Sequence, residues 1–119
     1  MRDDTSQSGF RRGVMSLVIL ALLKREDMYG YQLVQETARS SGGRLVTQEG
    51  SLYPVLYKLQ EQGMISDRRV PVGRRMTRVY YHLEPAGEVR LQELKKEYEE
   101  VTRGIFQIIH GDGKEDKGE

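Results

Sequence analysis

Five arginines, Arg68, Arg69, Arg74, Arg75 and Arg78, fall between Met64 and His82 against a single acid, Asp67. An ordinary solvated surface mixes charges of both signs. A cluster of guanidinium groups that repel one another needs an outside anion, and a polyphosphate backbone supplies one. Between Glu84 and Glu100 the balance reverses, with six glutamates against Arg90, Lys95 and Lys96. The net charge of +1 therefore hides two segments of opposite sign. The basic one has the footprint of a polyanion binder.

A second set of polar groups lies upstream. Gln48, Ser51, Tyr53, Tyr57 and Lys58 alternate with the apolar stripe Leu52, Val55, Leu56 and Leu59. That 3–4 spacing predicts a helix with one buried face. Hydroxyls and backbone N–H groups at its start suit phosphate oxygens, and the Gln48 amide suits a base edge. Tyr29 and Tyr31 flank Gly30, a residue that permits close backbone approach. One of the two tyrosines is expected at phosphate and the other in the core.

Chemistry of other kinds finds little support. Cysteine is absent, which removes disulfides, thiolate metal sites and thiol nucleophiles. His82 and His110 are the only histidines, and neither sits in a nucleophile–base pattern. His82 reads as a strand residue and His110 as a helix C-terminal cation. No enzyme activity, metal or cofactor is expected. The longest apolar run, Leu17 to Leu23, is far short of the roughly 20 residues of a membrane span. The polar N-terminus lacks the signature of a secretory signal, so a soluble cytoplasmic protein without membrane association is expected.

These groups must be positioned by one small domain, since 119 residues supply one modest core. Residues 1–9 are polar and expected to be disordered. A helix is predicted from about Arg11 to Lys24, apolar almost all round and so buried on more than one side. Glu26–Asp27–Met28 reads as a connection. A second helix runs to about Ser40 and stops at Ser41-Gly42-Gly43. Leu45–Thr47 reads as a short extended piece. The third helix has Gly50 or Ser51 as N-cap and ends at Gly63. Strands are predicted over 64–70 and 77–83, joined by a turn at Pro71-Val72-Gly73. Pro85 opens a long last helix. The tail over 111–119 is expected to be disordered.

The order is that of a winged helix-turn-helix: mainly α with a small β-hairpin, plus a long C-terminal dimerisation helix. Residues 10–84 form the DNA-binding domain and 85–110 the dimerisation helix. Along the latter, Leu91, Leu94, Tyr98, Val101, Ile105 and Ile108 recur at spacings of 3, 4, 3, 4 and 3. That is a heptad seam. A helix of this length spans about 37 Å, more than so small a core covers, so a second copy is the expected partner. Leu17 of the first helix is expected to join the interface. Tyr98 and Met15 are candidates for an effector pocket.

The segments FRRGVMSLVILALLKREDMYGYQLVQE, QEGSLYPVLYKLQEQGMISD and GRRMTRVYYHLEPAG together resemble the short-tailed PadR-like transcriptional regulators. The resemblance covers about residues 10–110. It implies a homodimeric repressor on a palindromic operator in double-stranded DNA, released by a small molecule or stress signal. It carries DNA contacts to Tyr31, Ser51, Tyr53, Lys58, Arg74, Arg75 and Arg78. In drug-sensing relatives an aromatic residue of the last helix stacks on the ligand; Tyr98 matches it, where those relatives have tryptophan. Two other readings stay open: a winged-helix module that binds protein, and a dimer that sequesters a ligand without DNA.

Overall fold

A computed structural model describes residues 3–111, with side chains from residue 13 onward. The elements are α1 (Asp3–Arg25), β1 (Met28–Tyr29), α2 (Gly30–Ser40), α3 (Glu49–Glu61), β2 (Ile65–Val72), β3 (Met76–Leu83) and α4 (Pro85–His110). This is a winged helix-turn-helix with a long final helix. Helix α1 begins well before the expected Arg11, and residues 3–9 belong to it. Apolar periodicity marks where burial starts. It does not mark where helix starts. The expected C-terminal tail over 112–119 lies outside the described residues; Gly111 is the left-handed C-cap of α4, with φ 67°.

The core forms where the inner faces of the helices meet the sheet. Ile19, Leu20, Leu22 and Leu23 of α1 pack with Leu33 of α2, Leu52, Val55, Leu56 and Leu59 of α3, Ile65 of β2 and Tyr81 of β3. Thr37 is the buried polar side chain, and its hydroxyl donates to the Leu33 carbonyl at 2.7 Å. That bond removes the cost of burying the hydroxyl.

The sheet has three antiparallel strands in the order β1-β3-β2. Its third strand was not expected: Met28 and Tyr29 pair with Tyr81 and Tyr80. Two residues carry no periodicity, so only the pairing defines them. Leu45–Thr47, by contrast, joins no strand. Pro71 and Val72 lie in β2 and not in the turn, which is Gly73-Arg74-Arg75. Proline is tolerated there because β2 is a sheet edge. Gly73, at φ 72°, supplies the left-handed residue that the tight turn needs. Gln48, and neither Gly50 nor Ser51, is the N-cap of α3.

Helix α4 divides into two halves. Its start is seated by Gly87, where a Cβ would overlap the Met64 carbonyl oxygen. The Glu84 amide donates to that same carbonyl at 2.9 Å. Leu91 is only 5 % exposed and belongs to the core of its own chain, which corrects its expected place in a dimer seam. Heptad spacing shows that a stripe exists, not which surface covers it. Leu94 and Leu17 are half-buried against the same core. Beyond them the stripe is open: Tyr98, Val101, Ile105 and Ile108 are all exposed, with Phe106 and Ile109 beside them.

Candidate nucleic-acid interface

Burial of Leu52, Val55, Leu56 and Leu59 turns the opposite face of α3 outward. Ser51, Tyr57 and Lys58 are exposed outside the buried stripe, and Gln48 is exposed at the N-cap. The Gln48 backbone carbonyl receives the first helical bonds from Ser51 and Leu52, while its side chain makes no capping bond. Tyr31 is exposed at the start of α2.

Tyr53 is less open than its neighbours on α3. It is half-buried and stacked on Tyr57, with ring centroids 6.1 Å apart. Its hydroxyl lies where a Cβ on Gly30 would stand 2.7 Å away. Burial is the largest influence raising its pKa, and the negative charge of the Glu49 carboxylate adds to it. Gly30 thus lets α2 and α3 approach through the Tyr53 ring. Tyr53 packs the helix-turn-helix and supports Tyr57 from beneath.

The hairpin sorts its arginines into three kinds. Arg68 is ion-paired with Asp27, and its guanidinium lies 5.3 Å from the Tyr80 ring centroid. His82 Nδ1 meets the other oxygen of Asp27 at 2.8 Å. Desolvation pulls the Asp27 carboxyl upward, but contacts with His82 and Arg68 outweigh it and the net shift is downward. Arg78 is half-buried with its guanidinium 4.2 Å from the Tyr29 ring centroid. Arg74 and Arg75 on the turn, and Arg69 on β2, stand exposed with no acidic partner among the described residues.

Asp27, Tyr29 and Tyr80 organise this face; sequence reasoning gave Asp27 and Tyr80 no functional part and left Tyr29 as one of a tyrosine pair. Asp27 is 41 residues from Arg68 and 55 from His82. Nothing in local spacing signals such a meeting.

The proposed pocket pair does not assemble within one chain. Tyr98 borders a shallow groove with Glu99, Thr102, Arg103, Phe106 and Gln107, all on α4. Met15 lies elsewhere, half-buried against the core. Among the described residues no group of three His, Asp or Glu side chains is placed to hold a metal ion. No described helix is long and apolar enough to cross a membrane.

Residues 19–93 match the model of a family described as the transcriptional regulator PadR-like family. A transcriptional regulator of Mycobacterium tuberculosis is 35 % identical over 98 residues, covering 82 % of this chain and 87 % of its own. A PadR-like transcription factor from Bacteroides fragilis superposes with a TM-score of 0.72 at 30 % identity, over 87 % of this chain and 98 % of that one. Bacillus subtilis PadR, solved in complex with operator DNA, matches with a TM-score of 0.63 at 26 % identity. That match covers 67 % of this chain and 46 % of the longer PadR chain.

Proposed function

Since the chain belongs to the PadR-like family of transcriptional regulators, we propose that it is a repressor that binds a palindromic operator as a homodimer and is released by a small-molecule effector. The observation that carries the DNA reading is the state of the hairpin tip. Arg74 and Arg75 project from the turn with no acid to neutralise them among the described residues, while Asp27, away from the turn, is engaged by Arg68 and His82. Two permanently charged groups without a partner suit phosphate oxygens. Arg78 joins them from the adjoining strand β3.

Base choice falls to the exposed face of α3, where Gln48, Ser51, Tyr57 and Lys58 present donors and acceptors of the kind read in a major groove. Tyr31 contributes a hydroxyl from α2. Tyr53 takes part as the support under Tyr57. The homodimer rests on the open half of α4, Tyr98 to Ile108, because so much exposed apolar surface on one helix calls for a partner. Two copies joined there by a two-fold axis give two readers and hence a palindromic site. An effector bordered by Tyr98 and Met15 requires residues of both subunits, since one chain does not bring the two together.

The test is the affinity for duplex DNA against salt. The proposal expects a steep log–log loss, and R74A or R75A should reduce the slope by about one for each phosphate contact removed. Salt-independent binding, or a slope untouched by both variants, excludes the hairpin as a phosphate-binding element. Footprinting on the chain's own upstream DNA then identifies the operator, and effectors are scored by release from it.

A further inference from the structure

The outer face of the sheet carries a row that spans all three strands. Antiparallel register sets Tyr29 of β1, Tyr80 of β3 and Arg68 of β2 abreast. Paired residues share a face, so their side chains stand side by side. The Tyr29 and Tyr80 rings meet edge to face, 5.3 Å between centroids. An arginine lies over each ring: Arg68 over Tyr80 and Arg78 over Tyr29.

The two arginines differ in closeness, Arg78 at 4.2 Å and Arg68 at 5.3 Å from the ring centroid, and in what remains free. A guanidinium this close to a ring stacks on it by its flat face. Its five N–H groups lie in the plane and point outward from the edge. At Arg68 that edge is engaged by the Asp27 carboxylate. Arg78 has no acid within ion-pairing distance among the described residues, so its edge keeps its donors. Covering the Tyr29 ring alone would be met by any long aliphatic side chain. What arginine adds is a fixed fork of donors.

We propose that Tyr29 is a positioning residue for DNA binding: its ring holds the Arg78 guanidinium by the face and presents the edge to a phosphate as a preoriented two-pronged donor. Arg74 and Arg75, with no such support, contribute attraction without fixed geometry. This rests on the DNA-binding reading above. It also gives β1 a purpose, since Tyr29↔Tyr80 pairing is what brings the ring beneath Arg78.

The test is a double-mutant cycle on the intact protein, read by anisotropy with a short mixed-sequence duplex at low salt, with thermal melts alongside. R78A is expected to weaken binding about tenfold. Y29F keeps the ring and should stay within about twofold of the wild type. Y29L removes the ring and should weaken binding about three- to tenfold, yet add nothing further in the R78A background. R78K leaves Tyr29 untouched and keeps the charge but loses the fork, so it should bind about threefold or more weakly. That variant keeps the test decisive if Y29L melts early. Equal weakening by Y29L with and without Arg78, or full affinity in R78K, overturns the positioning role while leaving DNA binding in place. A wild-type protein with no salt-dependent affinity for the duplex overturns the DNA reading and this role together.

Discussion

Gly87 of α4 and Met64, which precedes β2, are in such close backbone contact that no side chain fits between them. A Cβ on Gly87 would overlap the Met64 carbonyl oxygen and stand 2.6 Å from Leu83 Cδ1. The obstacle is backbone, which cannot swing aside. G87A is therefore expected to lose about 3 kcal/mol or more, or to fail to fold. Urea denaturation of the variant measures it, and a loss under 1 kcal/mol, roughly the scale of a surface change, would show that α4 can shift freely.

Leu91 and Ile105 lie on one heptad stripe but face different surfaces. L91D places a charge in the chain's own core and should unfold the domain. I105D, or V101D, changes residues exposed in the single chain. Either should keep helicity and melting of the monomer while dissociating the dimer. Sedimentation velocity with circular dichroism separates the two outcomes. An unchanged dimer in I105D and V101D would remove α4 as the interface.

Gly30 and Tyr53 offer a compensation test of the helix-turn-helix. G30A crowds the Tyr53 hydroxyl and should cost about 1–3 kcal/mol. Without that hydroxyl, the nearest ring atom would stand 3.3 Å from the new Cβ. The double variant G30A/Y53F should then recover much of the loss. Additive losses in chemical denaturation would mean the hydroxyl is not the obstacle.

Much of the architecture was legible because it is periodic or punctuated. The stripe Leu52, Val55, Leu56 and Leu59 has one explanation, and Gly63 and Pro85 mark its neighbours' limits. The arginine-rich tip was visible from charge alone. What was hidden depends on partners far along the chain. Asp27 means nothing until the fold brings Arg68 and His82 to it. Tyr29 reads as half of a tyrosine pair until β1 pairs with β3. Leu91 fits a seam as well as a core, since both ask for the same residue at the same spacing. Tyr53 faced the same ambiguity, for an amphipathic ring suits either a phosphate or a helix–helix contact.

Tyr81 makes a contribution to stability that depends on alkaline pH. Burial pushes its phenol up to about 12 from the ordinary value near 10. The neutral form is favoured in the folded state, so this contribution is complete below pH 10. It is lost as pH rises from 10 toward 12, where ionisation favours the unfolded chain. A shift of that size corresponds to about 2–3 kcal/mol. Absorbance titration should show Tyr81 among the late-ionising tyrosines, its ionisation accompanied by loss of ellipticity. In Y81F the stability profile above pH 10 should be flatter.

One junction in the chain limits how this protein can respond to a signal. Tyr29 closes β1 and Gly30 opens α2 with no residue between them. The hairpin is thus anchored through Tyr80 to the residue that begins the helix-turn-helix, and the Tyr53 ring ties α2 to α3. Hairpin and helices are thereby tied into one unit. In the proposed dimer of such units, the adjustable quantity would be their separation, set by the open half of α4. An effector wedged against that shaft would act as one changes the gauge of a two-pointed compass: neither point is blunted, but the span no longer fits the site.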